Sequence, residues 1–336
     1  MNSSQQQGIE CSADIPFRIP LGSFVGWAMA LLCLVVAPFQ IAAQEVGLQL
    51  ITLHVGFTRA SFRIVNASDA TAAFRVFAQT AGRKRGYALD TDAQVFDNSA
   101  ACEAEIKKGT INMAILDSWD FLGMDIHQVM EPVFVSVEQG SFLKEYLLLV
   151  RRDSGLTRLA DLRGKELMVL EGKGGSLSRA WLDSLLLEQH LGAKETFFSN
   201  LESAFKSSSA VLPVFFGSKP VCMVDRSGFQ VMSELNPQVG SNLVVLAVSE
   251  PYVATITCLS KSGWTSPRAR QDVINGIAEL HLEPNGRQIL TMFKLEQVVP
   301  FKEEYLDTAR KLRAAVEIPS KKNAASLPNT QTHSEP

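Results

Sequence analysis

Strand-like and helix-like segments alternate along most of this chain, and the alternation occurs twice. Residues 48–57 (LQLITLHVGF) are rich in apolar and β-branched types and read as a strand. Residues 66–83 carry apolar positions at helical spacing, with Ser68 and Asp69 near the start. Tyr87–Phe96 reads as a second strand, Ser99–Lys108 as a short helix ended by Gly109, and 111–116 (INMAIL) as a buried strand. Asp117-Ser118-Trp119 then opens a further turn or helix. A β-α-β-α-β order implies a parallel sheet covered by helices.

The same order returns downstream. A strand at 167–170 leads into a helix at 176–191, then a short strand at 196–198 and a helix at 201–215 interrupted by Pro213. A strand at 220–224 follows, and Asp225 opens the next helix. Residues 142–152 (FLKEYLLLVRR) form a strand-like crossing between the two units, and 242–248 with 253–260 form the return. Helices over 267–282, 284–293 and 302–316 finish the fold. The expected architecture is α/β, with two lobes joined by two crossovers. Lobe 1 spans 46–148 plus 253–316, and lobe 2 spans 149–252. Residues 317–336 are polar without an apolar period and read as a disordered tail.

The N-terminus is of another kind. No charged residue occurs from Ile19 to Gln44, and Ala42 and Ala43 follow Pro38. Residues 1–43 read as a secretory signal cleaved after Ala43, or as an uncleaved membrane anchor. Either reading exports the rest of the chain. Past that segment three cysteines remain, Cys102, Cys222 and Cys258. They read as small buried hydrophobes, with a Cys222–Cys258 bridge as the alternative. The formal charge is −3 and no long basic run occurs, which excludes a general nucleic-acid binder.

Residues 169–181 (VLEGKGGSLSRAW) hold the densest chemistry. A buried strand stops, three glycines follow, and an amphipathic helix begins. The first N–H groups of a helix lack internal partners, and its dipole makes that end positive. Such a junction is either an anion pocket or a plain capped turn. Gly174 and Gly175 let a ligand approach, Ser176 and Ser178 offer hydroxyls, and Lys173 adds charge or points to water. Lys173 precedes the last two glycines, so the P-loop order is absent.

In an open α/β sheet, ligands bind beyond the carboxyl ends of the strands. The other turns expected there are 56–61, 117–119 and 225–227. Phe57 and Trp119 offer walls, with core packing as the other reading of Trp119. Thr58, Ser61 and Ser118 offer hydroxyls, and Arg59 offers a cation or lies in water. Asp225 either accepts from a protonated oxygen or an amine, or caps its helix. The histidines past the signal segment (His54, His127, His190, His281, His333) are scattered, with no metal-ligand spacing, and no Gly-x-Ser-x-Gly elbow occurs. No catalytic set, metal or cofactor is expected.

Five ordered pieces carry a resemblance over about 48–315: LHVGFTR, NASDATAAFRVFAQTAG, INMAILDSWDFLG, DLRGKELMVLEGKGGSLSRAWLDSLL and KPVCMVDRSGFQVMSELNP. The chain resembles the periplasmic solute-binding proteins of phosphate, phosphite and phosphonate ABC transporters. The resemblance implies a type II two-lobed clamp that closes on a small oxyanion, acts as a monomer and serves an ABC permease. A sensory role toward a membrane kinase or other partner is the alternative. It implies an anion cradle at Gly175, Ser176 and Ser178, an aromatic wall at Trp119, an acid at Asp225, and a first-strand loop at Phe57 and Thr58. The cradle here reads Gly-Gly-Ser-Leu-Ser, and 198–201 holds no histidine.

Overall fold

The computed structural model describes residues 48–61, 67–172 and 175–325. The expected signal or anchor therefore lies outside the described residues, as do Lys173 and Gly174. The first unit runs β1 (Gln49–Thr58), α1 (Ala67–Lys84), β2 (Tyr87–Phe96), α2 (Ser99–Lys108), β3 (Met113–Asp117), α3 (Ser118–Gly123) and β4 (Met130–Val137). A crossing follows as β5 (Leu143–Lys144) and β6 (Tyr146–Arg151). The second unit continues with β7 (Glu166–Leu170), α4 (Gly175–Glu188), α5 (Lys194–Phe197), β8 (Asn200–Ala204) and α6 (Ser207–Phe215). It ends with β9 (Val221–Asp225), α7 (Arg226–Leu235), α8 (Pro237–Asn242) and β10 (Leu243–Val248). The return is β11 (Tyr252–Val253) and β12 (Thr255–Ser260), then α9 (Pro267–Ala278), α10 (Pro284–Met292), β13 (Gln297–Pro300) and α11 (Asp307–Ala325).

Among the described residues these strands make two large sheets, one per lobe, and a two-stranded one at the crossings. Lobe 1 has the order β13-β4-β12-β3-β1-β2, and lobe 2 the order β10-β6-β9-β7-β8. In lobe 1, β1 pairs in parallel with β2 and β3, and β12 returns antiparallel against β3. In lobe 2, β7 pairs in parallel with β8 and β9. The two crossings touch as a small antiparallel pair, Tyr252 opposite Lys144 and Val253 opposite Leu143. A pair this short holds the lobes in register while leaving few hydrogen bonds to resist rotation.

Local signals account for most boundaries. The Asn98 side chain accepts from the Ala101 N–H at 2.9 Å and starts α2, and Gly109 ends it at φ 77°. Asp117 and Asp225 cap α3 and α7 in the same way. Alternate residues of β1, from Ile51 to Phe57, are buried on one face of the sheet.

Some expectations need correction. Residues 196–198 are not a strand, because Thr196 and Phe197 sit in the helical turn α5. Phe197 and Phe198 pack edge to face there at 4.9 Å. The strand is instead β8, in a segment expected to be helical. β4 and β13 escape the sequence reading altogether. The last helix does not end at 316 but continues through Ala325, into the segment read as a tail; 326–336 lie outside the described residues. Ala309 and Leu312 of α11 join the core of lobe 2 beside Tyr146, Leu148 and Trp181 rather than that of lobe 1. The Cys222–Cys258 bridge does not form: all three cysteines are free and buried, and these two lie in different sheets. Burial raises the pKa of each thiol. Native protein is expected to resist alkylation by iodoacetamide until denaturant is added; labelling at the rate of a free thiol in folded protein would contradict this burial.

Candidate functional site

The carboxyl ends of β1 and β3 in lobe 1 meet the start of α4 in lobe 2. Asp117 ends β3 and is fully buried. One carboxylate oxygen, Oδ1, accepts the Trp119 N–H at 2.8 Å, which is the α3 cap. The carboxylate also faces the backbone N–H groups of Ser176 and Leu177 in the first turn of α4. Oδ2 is buried with no hydrogen bond of good geometry. Burial raises the Asp117 pKa well above the usual carboxylate range, and the charge of Asp120 adds to this; the three N–H groups pull the other way.

Asp120 sits one turn further along. The hydroxyls of Ser176 and Thr58 hydrogen-bond its carboxylate, and the Arg313 charge favours its ionised form. Burial outweighs these and raises its pKa as well. Two acids from lobe 1 thus occupy the mouth of a lobe 2 helix whose N–H groups suit an anion. The sequence reading took Asp117 only as the opening of a turn and did not reach Asp120, Arg313 or Tyr146. The one local signal was the Asp-Ser-Trp-Asp spacing, which puts both acids at the start of one helix.

The remaining expected residues divide. Ser176 and Thr58 come together on Asp120. Ser178 is buried and donates to the Gly175 carbonyl at 3.0 Å, so its proton is held within α4. Ser61 donates to the Ile115 carbonyl at 2.6 Å. Ser118 donates to the Val253 carbonyl at 2.5 Å, which ties α3 to the hinge strand. Trp119 is half-buried; the Arg313 guanidinium lies 5.1 Å from its ring centroid and donates to its carbonyl at 3.1 Å. Asp225 caps α7, accepting from the Gly228 N–H at 2.6 Å and the Ser227 hydroxyl at 2.8 Å. It also lies opposite Tyr146 across the sheet. The charges of Asp117 and Asp225 both reach Tyr146, whose pKa burial already raises.

Two residues lie elsewhere. Phe57 points into the core of lobe 1, stacked 6.0 Å from Phe293, because it falls on the sheet face that α9 and α10 cover. Arg59 pairs with exposed Asp97. Among the described residues no group of three His, Cys, Asp or Glu side chains is placed to hold a metal ion.

A family model described as an ABC transporter phosphonate periplasmic substrate-binding protein matches residues 62–306. Solved structures share the fold at 12% identity. XAC2383 of Xanthomonas citri bound to ATP gives a TM-score of 0.62, over 80% of this chain and 98% of that one. A binding protein component of an ABC phosphonate transporter from Pseudomonas aeruginosa gives 0.58 at 12% identity, over 82% and 90%. PhnD1 of Prochlorococcus marinus in complex with methylphosphonate gives 0.56 at 12% identity, over 79% and 98%. No match was found among curated proteins.

Proposed function

Because the chain belongs to the periplasmic substrate-binding family of phosphonate ABC transporters, we propose that it captures a small phosphorus oxyanion between its lobes and delivers it to an ABC permease. One observation carries this reading. The Ser176 and Leu177 N–H groups, at the start of a 14-residue helix, already face a buried carboxylate supplied by the opposite lobe. An oxyanion seated there would meet the same N–H groups, beside the Thr58 and Ser176 hydroxyls that now hydrogen-bond Asp120.

The acids narrow the choice of ligand. Asp117 and Asp120 repel a fully ionised anion but accept a hydrogen bond from one that brings an acidic P–OH. Phosphate, phosphite and methylphosphonate can bring that proton near neutral pH; sulfate cannot. A thermal-shift series on the purified protein tests this. A phosphorus oxyanion at a hundredfold excess over its Kd should add about 3 kcal/mol, with sulfate silent. Ser176→Ala should weaken that binding about tenfold, and Ser178→Ala should not. Equal response to sulfate, or indifference to Ser176→Ala, would remove the pocket from the start of α4.

A further inference from the structure

We propose that lobe 1 contains a second ligand site, apart from the cleft, for a small neutral apolar molecule bearing one hydrogen-bonding group. A cavity of about 130 Å³ lies between the sheet and helices α1, α9 and α10. Leu53, Phe74, Met113, Ile115, Ile277 and Phe293 give it an apolar wall. Protein interiors are otherwise packed to the density of organic crystals, so a space of this size stands out. Small residues among the larger ones on the covering helices leave room for it: Ala78, Ala81 and Gly82 on α1 and Gly276 on α9.

Thr255, Ser136 and Thr257 bring hydroxyls to the wall. Thr255 lines it, is 5% exposed, and its Oγ1 is buried without a hydrogen-bond partner. Three other polar side chains at the wall are engaged. Ser61 donates to the Ile115 carbonyl, and Tyr87 donates to Asp272 at 2.5 Å. Arg85 pairs with Glu279 at 2.6 Å. With those charges matched, nothing on the wall calls for a charged ligand. A dry apolar cavity of similar size takes up benzene. A single ring with one hydroxyl would fill the space and satisfy Thr255 Oγ1. The acids of the cleft are not part of this wall.

Phenol and toluene are the probes, titrated into the purified protein and followed by saturation-transfer NMR and thermal shift. Both should bind saturably, phenol more tightly. Thr255→Val keeps the shape without the hydroxyl; it should weaken phenol at least fivefold and leave toluene unchanged. Ala78→Leu should abolish both. Gly276→Leu fills the space from the opposite wall, where a Cβ would come no closer than 3.8 Å to Arg85, and should do the same. Methylphosphonate should not compete. The proposal falls if neither probe binds the wild-type protein, if binding survives a cavity-filled variant that folds, or if methylphosphonate displaces the probes. Equal loss of phenol and toluene in Thr255→Val would remove the hydroxyl from the site.

Discussion

Asp117→Asn is expected to remove much of the fall in stability that the wild-type protein shows as pH rises from 4 to 8, because an amide has no proton to lose. The substitution keeps Oδ1, and with it the cap on the Trp119 N–H. It removes a buried charge that faces Asp120 and lies near Tyr146. Both acids have raised pKa values, so the folded state holds their protons to higher pH than the unfolded chain does. Their contribution is complete below the ordinary carboxylate range and is lost as pH rises through the raised folded values. Asp161, which accepts from the Arg158 and Thr157 N–H groups, is shifted down and acts only at lower pH. In urea unfolding the stability of the variant relative to wild type should therefore rise from pH 4 to pH 8. The same change should narrow the preference for phosphorus oxyanions over sulfate, because a neutral amide no longer repels a fully ionised anion. An equal difference between variant and wild type at both pH values would mean that folding does not raise the Asp117 pKa over this range.

Trp181→Ala is expected to cost about 3–5 kcal/mol, as large aromatic truncations in cores do. Trp181 is 5% exposed and stacks on Tyr146 at a centroid distance of 6.4 Å. Tyr146 stacks in turn on Tyr252 at 6.3 Å. This aromatic column pins α4 to the hinge strand β11, so its loss should also loosen the helix start that faces Asp117. Urea unfolding gives the first effect, and calorimetric titration with the best oxyanion gives the second. Trp181→Phe should recover most of both. A cost below about 1 kcal/mol would mean that the column carries little of the lobe 2 core.

The parts of the fold written in local chemistry were legible. β2 and α2 fall where the sequence reading put them, with Gly109 ending α2. β8 was not, because Asn200–Ala204 buries only Ala204 and lacks an apolar alternation. The adjacent Phe197 and Phe198 imitate a buried strand yet occupy one helical turn and its end. At the site, the start of α4 was visible as a glycine turn before a helix. Its encounter with Asp117 and Asp120 was not, since the acids belong to the other lobe and local spacing says nothing about that pairing. Phe57 was misplaced for a related reason: a strand end offers both faces, and only the sheet's covering helices decide which one is core.

The position of α11 bears on how the protein assembles. Lobe 2 draws Ala309 and Leu312 into a core otherwise built from residues between Tyr146 and Tyr252. A chain made from its N-terminus completes every strand of that lobe before these two residues exist. Until they arrive, Tyr146, Leu148 and Trp181 lack part of their covering. Closure of the second core is thus a late, long-range event, of the kind that slows folding and leaves apolar surface open in the interval. The last helix works as a seal on the half of the molecule that was synthesised well before it.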